Sequence, residues 1–153
     1  MKSSQKTLLL VEDSRDDAEL IVSTLRESQL KTHIIHVKDG AEALDYFFAR
    51  TDRYKGRRLP HCILLDLKIP KIFGLEVLRQ IRMSHEGAKI PVIVFTSSQE
   101  ESDVIESYRF NVNSYLQKPI DSDDFEEAVL RLSQYWMMMN HYPASWEHVG
   151  GYP

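Results

Sequence analysis

Three short runs in this chain are apolar on both faces: Leu8-Leu9-Leu10-Val11, Cys62-Ile63-Leu64-Leu65 and Val92-Ile93-Val94-Phe95. A strand with one wet face alternates apolar and polar residues, whereas a strand covered on both sides does not. These runs therefore predict inner strands of a parallel sheet with helices over both faces. The full set of predicted strands is 7–11, 33–37, 62–67, 92–96 and 114–117. Between them the apolar period changes to that of a helix. Ala18, Ile21, Val22 and Leu25 share one helical face, and Ala41, Leu44, Phe47 and Phe48 share another. Ser14 with Asp17, and Ser98 with Glu101, carry the spacing of helix-starting caps. Repeated strand–helix order predicts one doubly wound, right-handed α/β domain. No internal repeat, low-complexity segment or interdomain linker interrupts it.

Bulk properties exclude several classes. A net charge of -4, from 19 basic and 23 acidic residues, gives no general attraction to nucleic acid or acidic membranes. No apolar stretch approaches the length of a membrane span. The start, Met1-Lys2-Ser3-Ser4-Gln5-Lys6, has no apolar signal region. A single cysteine precludes an internal disulfide and fits a reducing, cytoplasmic setting. Cys62 reads as a small buried apolar residue. The six histidines (His33, His36, His61, His85, His141 and His148) show no metal-ligand spacing and read as surface or strand residues.

Acids close two of the apolar runs. Glu12 and Asp13 follow the first, and Asp66 follows Cys62-Ile63-Leu64-Leu65. In an open α/β sheet, function gathers beyond the carboxyl ends of the strands. If strands one and three are neighbours, the three carboxylates meet, and their repulsion calls for a hard divalent cation. Mg²⁺ suits one or two carboxylates plus water and phosphate oxygens, and Mn²⁺ is a plausible substitute. Thr96 and Ser97 close the fourth strand, and Lys118 closes the fifth, before Pro119. Carboxylate, metal, hydroxyl and lysine are together the parts of a phosphoryl-transfer site, with the carboxylate as nucleophile. Singly, each has a plainer use: a capping acid, a structural threonine, a turn lysine.

Two stretches break the alternation. Residues 50–58 form a basic connection with Arg50, Arg53, Lys55, Arg57 and Arg58, readable as a solvated loop or a surface for an acidic partner. At the C-terminus, Phe125, Ala128, Val129 and Leu132 form a helical stripe that Trp136 and Met139 extend. Tyr142, Trp146, Val149 and Tyr152 keep the remainder apolar. Such a tail is expected to pack on its own domain or on another chain.

The chain resembles the response-regulator receiver domains of two-component signalling over about residues 5 to 135. The matching stretches are Leu10-Val11-Glu12-Asp13-Ser14, Leu64-Leu65-Asp66-Leu67-Lys68-Ile69-Pro70, Gly74, Val94-Phe95-Thr96-Ser97-Ser98 and Tyr115-Leu116-Gln117-Lys118-Pro119. The resemblance implies a flavodoxin-like (βα)5 sheet of order 2-1-3-4-5. It implies Asp66 as phosphoacceptor, and Asp13, Asp66 and the Lys68 backbone carbonyl as direct Mg²⁺ ligands, with Glu12 acting through water. Thr96 and Lys118 would contact the phosphoryl group, and Tyr115 would turn inward as Thr96 moves. The Lys118–Pro119 bond would be cis. Such a protein is a signalling phosphoprotein rather than an enzyme, catalysing only its own phosphorylation and dephosphorylation.

Phe73 stands where a small polar residue is usual, and is expected to cover part of the site or face a partner. Lys68, two residues after the acceptor, bears on phosphoryl lifetime. The expected layout is a receiver at 1–135 and an aromatic extension at 136–153, without an output domain. This is similar to the stand-alone receivers paired with cyanobacterial phytochromes, which are histidine kinases. That subgroup implies a homodimer through the fourth helix, fifth strand and fifth helix, with the tail as a further candidate. Two alternatives stay open: a constitutively dimeric phosphorelay intermediate passing phosphate to a histidine protein, and a receiver serving a kinase unrelated to light. Flavin carriage is disfavoured because Glu12-Asp13-Ser14-Arg15-Asp16-Asp17 would repel a phosphate without metal. An aspartyl-phosphate hydrolase wants an acid where Lys68 stands. DNA binding lacks a helix-turn-helix and basic charge.

Overall fold

Each inner strand sends alternate side chains to opposite faces, and all of them but that of Lys6 are buried. In the computed structural model, which describes residues 5–147, β1 (Lys6–Val11), β2 (Thr32–Val37), β3 (Cys62–Leu65), β4 (Val92–Thr96) and β5 (Ser114–Gln117) form one parallel sheet. Its order is β2-β1-β3-β4-β5, as expected. Leu9, Val11, Ile63, Leu65, Val92 and Val94 meet α2 (Gly40–Phe47) and α3 (Gly74–Met83) on one face. Leu8, Leu10, Cys62, Leu64, Ile93 and Phe95 meet α1 (Arg15–Glu27) and α5 (Ser122–Ser133) on the other. Two separate cores on one sheet are the physical reason for the doubly apolar runs. The fourth helix, α4 (Glu101–Arg109), lies between β4 and the edge strand β5 in chain order.

The strand predicted at 62–67 ends at Leu65. The Asp66 amide donates to the Val11 carbonyl at 3.0 Å, but its carboxylate accepts the Lys68 amide at 3.0 Å. That local side-chain turn bends the chain out of the sheet. Gly74 then brings α3 close to this bend, since a Cβ there would lie 2.5 Å from Leu67 Cα and 2.6 Å from the Asp66 carbonyl oxygen. Ser14 caps α1 as expected, accepting the Asp17 amide. Ser98 does not cap α4. Glu100 occupies the cap position, and the Ser98 hydroxyl accepts the Glu100 amide and donates to Asp103.

The basic connection is partly tied to its own fold: Arg57 and Arg58 are half-buried, and Arg50, Arg53 and Lys55 are exposed. Arg57 donates to the carbonyls of Tyr46 and Phe47, satisfying the end of α2. Arg50 lies over Phe48 and Arg53 over Tyr54.

Beyond α5 the chain winds into a π-helical turn, Gln134–Met139. The wider turn rotates the apolar stripe, so Met137 is buried while Met139 is 69% exposed, contrary to the expected Trp136–Met139 continuation. Trp136 still packs on the α1/α5 core. Tyr142 is buried edge-on to His61, 5.2 Å between ring centres, and Trp146 packs beside both. His61 is thus a buried residue, and its Nδ1 accepts the Thr7 amide at 3.0 Å. The tail packs back on its own domain, at the amino ends of β1 and β3. Val149, Tyr152 and His148 lie outside the described residues. Among the described residues, no helix is long and apolar enough to cross a membrane.

Candidate functional site

The opposite end of the sheet carries the charge. β1 and β3 are hydrogen-bonded neighbours with Val11 level with Leu65, so Glu12, Asp13 and Asp66 emerge side by side. One carboxylate oxygen from each lies within 4.8 Å of the others. Glu12 and Asp66 are buried and Asp13 is exposed. Three hard oxygen donors open to solvent on one side can hold a divalent cation. β4 and β5 deliver the remaining groups. Thr96 is level with Gln117, and the Lys118 amide donates to the Thr96 carbonyl at 2.7 Å.

Asp66 is the hub. Its Oδ1 accepts the Thr96 hydroxyl at 2.7 Å and the Lys68 amide at 3.0 Å, while Oδ2 accepts the Lys118 ammonium at 2.8 Å. Burial pushes the Asp66 carboxyl up, but the hydrogen bond and charge of Lys118, with Thr96 and Lys68, hold it below its usual range. Asp66 is therefore an anion, as a nucleophile must be. Lys118 also meets Glu12 at 2.6 Å and Asp17 at 2.8 Å. Burial alone would lower the ammonium's pKa; hydrogen bonds to Asp17, Asp66 and Glu12 outweigh it and raise the value. Glu12 goes the other way. Its burial, with Asp66 alongside, lifts its pKa from 4.5 to about 7 despite the Lys118 contact. One ammonium shared among three carboxylates does not neutralise the most buried of them.

The structure brings together every sequence-predicted acid, Thr96 and Lys118. Tyr115 stands apart from Asp66, half-buried, its hydroxyl donating to the Ser98 carbonyl at 3.1 Å. No peptide bond among the described residues is cis, so Lys118–Pro119 is trans, contrary to the resemblance and in line with the trans preference of about 0.5–1 kcal/mol. Phe73 is 76% exposed and lines, with Asp13 and Lys68, a groove of about 750 Å³ that extends to Phe110. Sequence reasoning missed Asp17 as a site residue and gave it only a capping role. No local signal marked it, because the ammonium it meets lies 101 residues away in the chain.

A 2-1-3-4-5 parallel sheet carrying these acids, hydroxyl and lysine at its carboxyl ends has the make-up of a two-component receiver. The chain belongs to the response regulator receiver domain family, whose model matches residues 8–130. Phosphorylation on aspartate is general to that family, and its members interact with histidine kinases. "Probable methanogenesis regulatory protein FilR2" of Methanothrix harundinacea is 40% identical over 136 residues, covering 89% of this chain and 86% of the relative. "Response regulator Rcp1" of Synechocystis sp. is 37% identical over 140 residues, covering 92% of this chain and 95% of Rcp1. The crystal structure of the Mn(2+)-bound form of Rcp1 superposes with a TM-score of 0.86, covering 91% of this chain and 99% of that one. The phosphorylated cyanobacterial phytochrome response regulator RcpA gives 0.87 at 33% identity, covering 92% and 100%.

Proposed function

We propose that this protein acts as a single-domain response regulator, taking a phosphoryl group onto Asp66 from a histidine kinase and changing its interaction surface in response. The carrying observation is Asp66 itself, a buried anion with a hydroxyl and an ammonium on its two oxygens and two further acids beside it. An Asp66 oxygen attacks the donor phosphorus. The phosphorus–nitrogen bond breaks, and its electron pair returns to the imidazole, which takes up a proton. Lys118 and Thr96 are placed to meet the charge and oxygens of the transferred group. Glu12, Asp13, Asp66 and the Lys68 carbonyl are the residues assigned to Mg²⁺, which when bound offsets phosphoryl charge. The Thr96–Asp66 bond and the Tyr115–Ser98 bond meet on the segment leading into α4, which supports Thr96 and Tyr115 as the switch pair. The domain catalyses only its own phosphorylation and dephosphorylation.

Pairing with a phytochrome is supported by the likeness to RcpA, a phytochrome response regulator covered from end to end. A kinase unrelated to light is the second reading, favoured by the likeness to FilR2. A homodimer through α4, β5 and α5 is supported by exposed Ile105 and Tyr108 on α4, and by Tyr135, Met138 and Met139 beyond α5. Acetyl phosphate with Mg²⁺ is expected to add one phosphoryl mass to the wild type and none to Asp66→Asn. An undiminished gain in the variant would remove Asp66 from the acceptor role. Phosphotransfer from a purified phytochrome kinase, compared with a kinase lacking a light sensor, separates the two pairings.

A further inference from the structure

Lys118 has three N–H donors, and three carboxylates take them: Glu12 at 2.6 Å, Asp17 at 2.8 Å and Asp66 at 2.8 Å. Glu12 and Asp66 also belong to the carboxylate group that can hold a cation; Asp17 does not. Once a cation and a phosphoryl group occupy the site, Glu12 and Asp66 acquire other partners. Asp17 is the one contact of Lys118 that remains free for it alone.

Its placement suits that task. Asp17 sits in the first turn of α1, where the Ser14 hydroxyl accepts its amide and the helix end favours a carboxylate. The next residue, Ala18, and Ile21 one turn on are buried in the core, so the backbone carrying Asp17 is rigid. Lys118, in contrast, ends a flexible four-carbon arm from the loop after β5. An ammonium held on only two moving carboxylates would lose the alignment that phosphoryl transfer needs.

We propose that Asp17 is a positioning residue for phosphoryl transfer. It holds the Lys118 ammonium against Asp66 while Glu12 and Asp66 are engaged elsewhere, and it acts on the rate without binding the metal. This rests on Asp66 as acceptor.

The test follows phosphorylation of the full chain by acetyl phosphate at saturating Mg²⁺, with intact mass as readout and Mg²⁺ affinity measured by calorimetry. Asp17→Asn is expected to slow phosphorylation about tenfold. Its Mg²⁺ affinity should move by no more than about threefold. Asp17→Glu, which keeps the charge, should recover part of the rate. In a Lys118→Ala background the Asn substitution should cost nothing further, because its partner is gone. Equal rates for wild type and Asp17→Asn would overturn the inference, as would the same slowing in the Lys118→Ala background. No rescue by Asp17→Glu together with a lowered melting temperature would also overturn it, by assigning Asp17 a merely structural role. A wild type that takes up no phosphoryl group defeats the Asp66 reading first, and this inference with it.

Discussion

Glu12 is a carboxylate that the fold takes out of water. Buried beside another carboxylate, it keeps a proton up to about pH 7, whereas its ordinary value is 4.5. Between those values the folded protein holds a proton that the unfolded chain has released. The stability this group contributes is therefore present below pH 4.5 and lost as pH rises through about 7. A cation must displace that proton, so Mg²⁺ affinity is expected to weaken toward about tenfold per pH unit below about 7. Calorimetric titrations of wild type and Glu12→Gln across that range check it. The slope should vanish in the variant, and a slope that persists there belongs to another group. Cys62 is set by the same physics without the function, since burial pushes its thiol up and leaves it inert.

At the scale of elements, the two ends of the sheet do different work. The carboxyl ends hold the charged site. The amino ends are closed by the C-terminal tail, where Tyr142 covers His61 and Trp146 seals both. Tyr142→Ala empties a buried site and should lower unfolding free energy by about 3 kcal/mol, seen as a lower denaturant midpoint. Phosphorylation of Asp66 at the far end should proceed in the folded variant. An unchanged midpoint would mean that the tail adds no packing energy. The π-helical turn Gln134–Met139 makes this closure compatible with an exposed patch, because it buries Met137 and turns Met138 and Met139 outward.

For the whole molecule, the proposed homodimer is a question of assembly. Light scattering with and without beryllofluoride and Mg²⁺ should show a dimer that strengthens when Asp66 is occupied. A dimer mass under both conditions would favour the constitutive phosphorelay reading, and a monomer mass under both would remove the homodimer. A chain cut after Ser133 removes Tyr135, Met138 and Met139 together with the packing of Tyr142, so its melting point must be read beside its mass.

Much of this molecule was legible in its sequence, because parallel-sheet strands and strand-end acids leave local marks. Burial on both faces requires continuous apolar runs, and those runs ran directly into Glu12, Asp13, Asp66 and Thr96. Strand order followed from the receiver motifs, not from any pattern within a strand. The marks fail where partners are distant in the chain. Asp17 and Lys118 are 101 residues apart, and nothing near Asp17 announces the ammonium it holds. Ser98 carried a capping pattern, yet its hydroxyl turned to Asp103. His61 reads in the sequence as a surface or strand residue, and only the folded chain shows it covered by Tyr142. The sequence by itself determined the doubly wound class, the family and the residue types of the site, since these depend on local periodicity and motif order. Only the tertiary structure decided that one lysine serves three carboxylates, that Glu12 holds its proton toward neutrality, and that the tail closes the far end of the sheet. Those depend on distances and desolvation, which exist only once the chain is folded.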